Sequence, residues 1–284
     1  ALLIVGDSGD FTWGGVMSGP GRINKVGTGT MTYTAANTYT GTTTVSGGTL
    51  VLGAPVNTQT IKGPLNIGLG VGTVTTARVQ LANHLQLSGV SAVPVTINSD
   101  GELNGNSFTD GIGAGLTING GRLVVGNVVA VGSGLNMTGG SVTGSGTLQL
   151  QTNVVATSSA TFGLASIDAK IEFGSSLSTY TFTVNSGSSQ PELTINAAVT
   201  TIGAGSRDII KTGAGTLRLA GTAANTYGGS TTIAQGTLEL AKPDNVGAIT
   251  GPIVIGNFVD PAGSATLRNM ASNQLIGKPD VTIN

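Results

Sequence analysis

The chain has no cysteine among its 284 residues. It therefore has no disulfide framework, no thiolate metal site and no thiol nucleophile, and its stability must come from packing and hydrogen bonds. It has one histidine, His84, and one tryptophan, Trp13. A single imidazole with no thiol excludes the usual transition-metal sites. A catalytic triad would need His84 beside a nucleophile and a carboxylate. Its setting, Leu81-Ala82-Asn83-His84-Leu85-Gln86-Leu87, instead gives it a structural place at a strand edge or turn. Trp13 reads as a core or end-cap residue, not a ligand platform. Charge is scarce too: 9% of residues are charged, against about 25% in an average domain. A formal net charge of −1 offers nothing to phosphates, so nucleic acid and anionic membrane surfaces are not expected partners. No apolar run approaches the roughly 20 residues of a membrane-spanning helix, so membrane insertion by this segment is not expected. Ala1–Val5 is too short and lacks the basic start of a signal peptide, and the chain does not open on Met. It reads as a piece of a longer polypeptide.

What is abundant is glycine, 47 residues of it, among Thr, Ser, Val and Leu. Thr and Val suit strands, and Gly and Asn suit turns. No stretch keeps helical periodicity beyond two turns. The most informative stretch is Ile209–Leu240, IIKTGAGTLRLAGTAANTYGGSTTIAQGTLEL, with a near copy at 23–52. Both run Lys, Gly-x-Gly-Thr, a short alternating strand, Ala-Ala-Asn-Thr-Tyr, a Gly, a Thr run and Gly-Thr-Leu or its equivalent. Gly27 matches Gly213, and Asn37 matches Asn225 two residues out of step, because Ala220 and Gly221 are additional.

These residues resemble the passenger-associated transport repeat of bacterial autotransporters. Gly213-Ala214-Gly215-Thr216-Leu217-Arg218-Leu219, Asn225-Thr226-Tyr227-Gly228-Gly229 and Gly236-Thr237-Leu238-Glu239-Leu240 carry the likeness. The first copy departs from it, with Met31 and Tyr33 in Leu positions. The resemblance implies a right-handed parallel β-helix displayed outside a bacterial cell, with repeats that aid export. The absence of cysteine fits a chain that crosses a membrane unfolded.

The spacing points to the same architecture independently. Leu217 and Leu238 lie 21 residues apart, as do Arg218 and Glu239. A period near 20 is one turn of a β-solenoid. Leu should stack on Leu inside, with Arg218 beside Glu239 on the exposed outer face. The likeness extends past the motif: Asn57–Gly68 matches Asn245–Gly256, and Val95-Thr96-Ile97-Asn98 matches Val281-Thr282-Ile283-Asn284. Leu116-Thr117-Ile118-Asn119 and Leu135-Asn136-Met137-Thr138 continue at offsets of 21 and 19, with Asn98 set to stack on Asn119. The expected organisation is one continuous all-β parallel β-helix over 1–284, at about 19–21 residues per turn. It comprises a first repeat unit at 23–98, intervening turns at 99–208 and a second repeat unit at 209–284. Ahead of the first copy, Phe11-Thr12-Trp13 alternates and Val16–Gly21 reads as strand and turn. Ile167–Phe173 reads as one strand with Asp168, Lys170 and Glu172 facing solvent.

No site for chemistry is expected: no catalytic, cofactor-binding or metal-binding residues, no cofactor, no enzyme. Asp7 and Asp10, or Asp100, Glu102 and Asp110 near Asn104 and Asn106, could supply oxygens to calcium. Neither set follows the repeating calcium-loop pattern, and Asp100-Gly101 reads more simply as a turn. A polysaccharide-cleaving β-helix would gather carboxylates around one bond, whereas these are scattered. Gly68-Leu69-Gly70-Val71-Gly72 and Gly111-Ile112-Gly113-Ala114-Gly115 lack the following helix and Lys of a phosphate loop and read as turns. The expected role is a stalk or adhesin segment of a secreted or cell-surface autotransporter-type protein. Its expected partners are host or neighbouring-cell surface molecules or glycans, or copies of itself end to end. Alternatives are a subunit of an extracellular filament or surface layer and, more remotely, a polysaccharide-acting enzyme.

Overall fold

The structure, a computed structural model, describes residues 1–71, 75–88, 92–256, 264–277 and 279–284. No helix occurs among the described residues. The chain divides into two compact units, Ala1–Gly134 with Gly140–Thr147, and Leu135–Gly139 with Leu148–Asn284. The division falls inside the stretch 99–208 and not at the ends of the repeat copies.

Each unit is a parallel β-helix. In the first, one sheet stacks Leu2–Val5, Arg22–Lys25, Thr43–Val45, Leu65–Ile67, Val95–Asn98 and Leu116–Asn119, each strand parallel to the next. A second sheet runs Phe11–Trp13, Thr30–Tyr33, Gly48–Leu52, Ala77–Leu81, Gly101–Asn104, Arg122–Val124 and Gly140–Thr143. A third begins where Asp110–Ile112 meets Val128–Val131. The second unit repeats the plan. Its first sheet carries Thr179–Val184, Arg207–Thr212, Gly228–Ile233, Ile253–Ile255 and Val281–Ile283 in order. Its second carries Ala165–Ile167, Leu193–Ile195, Thr216–Leu219, Gly236–Leu240 and Ala265–Asn269.

The period-two pattern explains the core. Alternate strand residues point to opposite faces, so Leu217 and Leu219 go inward and pair in register with Leu238 and Leu240, all buried. Ile97 pairs with Ile118 in the same way. On the outside, Asn119 Nδ2 donates to Asn98 Oδ1 at 3.4 Å, one rung of the expected amide ladder.

The expected 19–21 residues per coil is the lower end of what is found. Val95 pairs with Leu116, 21 residues on, and Leu135 with Val154, 19 on. Leu65 pairs with Val95, 30 on, and Thr179 with Asp208, 29 on. The strands fix only the register, so corners take up the extra residues as loops without disturbing the stack. Three local readings need correction. Val16–Gly21 forms no strand. Ile167–Phe173 is two strands, Ala165–Ile167 and Lys170–Phe173, in different sheets; Asp168 lies at the corner between them. Trp13 lies on the edge strand Phe11–Trp13 and is 44% exposed, so it is not a core residue.

Candidate functional site

The repeated stretches build the same set of buried polar contacts twice. Lys25 and Lys211 stand at inward positions of the first sheet and are fully buried. Each turns its ammonium into the corner that leads to the second sheet. Lys25 Nζ donates to the carbonyls of Val26 at 2.9 Å, Gly27 at 3.3 Å and Gly47 at 3.0 Å. Lys211 Nζ donates to Thr212 at 2.9 Å, Gly213 at 2.6 Å and Gln235 at 2.9 Å. Two acceptors belong to the lysine's own coil and the third to the next, so the three ammonium donors tie one corner to its neighbour. Gly48 and Gly236 follow the third acceptor, with φ of 64° and 72°. A Cβ there would lie 2.7 Å from Lys25 Nζ or 2.8 Å from Lys211 Nζ. The second Gly of Gly-Gly-Thr-Leu is required by its left-handed backbone and by the carbonyl oxygens of the neighbouring coil, which a Cβ would approach to 2.4 Å at Gly29 and 2.3 Å at Gly213.

The Asn-Thr-Tyr element closes another corner. Asn37 Oδ1 accepts from Met17 N at 2.9 Å, and its Nδ2 donates to Thr60 O at 3.2 Å. Asn225 Oδ1 accepts from Val199 N at 2.9 Å, and its Nδ2 donates to Ala248 O at 2.9 Å. Each amide thus bridges the coil before and the coil after its own. Tyr39 OH lies 2.5 Å from Thr43 Oγ1, and Tyr227 OH 2.5 Å from Thr231 Oγ1. All four side chains of each set are buried. Residues 23–52 and 209–240 match the family model of the passenger-associated-transport-repeat. The chain carries two passenger-associated-transport-repeats. They cover about a fifth of its length, and such repeats within a parallel β-helix are consistent with an autotransporter passenger, a class secreted or surface-displayed in general. No curated protein and no solved structure matches the chain.

The electrostatics follow from burial. Desolvation pulls Lys211 down to about 8, with Glu192 opposing it, and pulls Lys242 down to about 8. Burial also lowers Lys25, against the pull of Asp10 and Asp7. Tyr39 and Tyr227 are each pushed up to about 12 by burial, their threonine partners working the other way. Lys242, just past the second repeat, adds a third caged ammonium, donating to Ala220 O at 2.7 Å and Ala223 O at 2.8 Å. The Lys, Asn and Tyr of the motif stand out in the sequence as repeated residues, but their burial does not. The signal that would have placed them inside is their position: both lysines fall in phase with the buried residues of their strands.

The structure brings none of the other sequence candidates into a common site. His84 Nδ1 accepts from Thr109 N at 3.0 Å, and its ring packs edge-on against Phe108, a structural place at a turn. Asp7 Oδ1 accepts from Gly9 N and Asp10 Oδ1 from Thr30 N. Asp100 is buried and accepts from Leu69 N at 3.1 Å and Gly70 N at 2.7 Å. The loop 68–70 thus does bind an anion, and the anion is the chain's own carboxylate. Gly72 lies outside the described residues. In the second Gly-rich stretch, Gly111 and Ile112 belong to the strand Asp110–Ile112 and not to a turn. Asp110 is buried and accepts from the amides of Gln86, Leu87, Ser88 and Gly111; burial raises its pKa and the amides oppose that rise. Among the described residues no group of three metal-binding side chains occurs.

Two carboxylates on the outer face of the second sheet are buried. Glu239, read as solvent-facing, is 5% exposed. Arg218 Nε meets one of its oxygens at 2.8 Å, and Arg268 Nη1, from the following coil, meets the other at 2.9 Å. Glu102 sits in the same way between Arg78, at 2.8 Å, and Arg122.

Proposed function

We propose that this chain is a non-catalytic segment of a secreted or surface-displayed bacterial protein of autotransporter type. In this reading the β-helix is a stiff stalk that presents surfaces to host or neighbouring-cell molecules, and the repeats assist export. The observation that carries it is the recurrence, contact for contact, of the lysine cage and the asparagine bridge in both repeats. Both devices are completed only when the next coil is laid down. Each is also satisfied by backbone groups, so each works with whatever side chains that next coil brings. A chain emerging unfolded needs such points, where register is fixed by local contacts before long-range packing exists. Coiling on the outside then opposes backsliding.

The test is surface display of the full-length protein with Asn225→Ala and Lys211→Met introduced together, followed by surface protease accessibility over time. The expected result is display slowed several-fold at equal synthesis. Display at the wild-type rate, with the variant's β-helix verifiably destabilised, would reject the export role.

A further inference from the structure

Beyond the repeats, the first unit contains a polar recess that the fold does not require. In the first repeat, the corner between the first and second sheets is closed by the ammonium of Lys25. Going up the same inward column, register leads from Lys25 to Val45, Ile67, Ile97 and Ile118. The upper corners therefore have no ammonium. Here Gly101, Gly121 and Gly140 follow one another, each immediately before the paired residues Glu102, Arg122 and Ser141. Stacking enforces glycine at the middle one: a Cβ on Gly121 would lie 2.6 Å from Ile97 Cγ2. Beside them lies a recess of about 180 Å³ bordered by Gly101, Gly120 and Gly121 with Thr75, Ser99, Arg122 and Ser141.

Coil stacking explains the glycines but not the polar groups around them. Ser99 Oγ is buried with no hydrogen-bond partner among the described residues, an arrangement that native structures rarely leave unused. Arg122 is about half exposed, and only its Nη2 engages Glu102. A guanidinium has five N–H donors, so most of its capacity remains for a ligand. Arg78 also pairs with Glu102, leaving two guanidinium charges to one carboxylate. The other nearby acid, Asp100, is engaged by the amides of Leu69 and Gly70 and by Thr76.

We propose that this recess binds a small oxyanion, either free or as the carboxylate or sulfate of an acidic sugar residue. Arg122 supplies the charge-assisted contact, and the hydroxyls of Ser99, Ser141 and Thr75 supply neutral hydrogen bonds, Ser99 by a turn about χ1. The volume is below the roughly 300–1,000 Å³ of pockets for larger ligands, which restricts the occupant to one such group. The inference does not depend on the export reading.

The test is a nuclear magnetic resonance titration of the whole chain with sodium sulfate, sodium glucuronate and glucose at constant ionic strength. Saturable shifts confined to the amides around Ser99, Gly121, Arg122 and Ser141 are expected with the anions and not with glucose. Saturation by both anions identifies a free oxyanion as sufficient, and saturation by glucuronate alone identifies the sugar acid. Ser141→Leu fills the recess while leaving the Arg122–Glu102 pair, and Arg122→Gln removes the charge; each should weaken binding at least ten-fold. Arg218→Gln, on the second unit, should leave it unchanged. The proposal is overturned by non-saturating shifts, by equal shifts with glucose, or by unaltered binding in a Ser141→Leu protein whose spectrum is otherwise native.

Discussion

Lys211 shows how the repeat uses one residue. An ammonium moved out of water is costly, and here no carboxylate pairs with it directly. Three carbonyls replace its hydration. In Lys211→Met the burial cost of the charge disappears, but three carbonyls lose their donor, at about 1–3 kcal/mol for each buried group left unsatisfied. The second loss is the larger, so the variant should be less stable by about 2 kcal/mol, read as a lower midpoint in urea unfolding. The same burial fixes a pH dependence. Lys211 and Lys242 titrate near 8 when folded and near their ordinary 10.5 when unfolded. Between these values the unfolded chain binds protons that the folded chain does not, so stability from these groups rises as pH increases from about 8 and is lost as pH falls through 8. Tyr39 and Tyr227, ordinarily near 10 and pushed up to about 12, act oppositely: their contribution is complete below 10 and is lost as pH rises towards 12. Thermal midpoints across pH 7.5–11.5 should pass through a maximum near pH 10, and the rising limb should flatten in a Lys211→Met, Lys242→Met double variant.

At the scale of strands and corners, register is reinforced outside the core by arginine–glutamate–arginine ladders. Exposed ion pairs contribute about 0–1 kcal/mol. Glu239 differs because it is covered, and both its oxygens are engaged by guanidinium groups from the coils on either side. Glu239→Gln keeps the shape and removes the charge, and should cost about 2 kcal/mol, as lost charge-assisted bonds do; equal urea midpoints for variant and wild type would show the ladder to be decorative. This element also shows what was legible in the sequence. Leu217 over Leu238 and Arg218 beside Glu239 could be read because strand alternation and coil length are periodic, and periodicity is visible in one dimension. Arg268 could not be placed on Glu239, because that coil carries extra residues and the period fails there. The lysine cage was invisible for another reason: its acceptors are backbone carbonyls, which every residue has. Asp100 filling the 68–70 loop was hidden likewise, since its partners are amides about thirty residues away, across a long corner.

For the molecule as a whole, the repeats are places where a single buried amide side chain bonds the backbone of the coil before it and of the coil after it, tying three successive coils together. Asn225 joins the coil of Val199 to that of Ala248, and Asn37 joins Met17 to Thr60. Cooperative opening should therefore meet its strongest resistance at the repeats, since stability in such arrays is set by neighbour-to-neighbour terms. The most direct measurement is amide hydrogen exchange across the second unit for wild type and Asn225→Ala. If the repeats fix coil register, exchange in the variant rises together at Val199, at Thr226–Ile233 and at Ala248–Ile255, spanning all three coils. Faster exchange confined to Val199, with the flanking coils unchanged, would mean that each coil holds its own register and that the repeat clamps nothing.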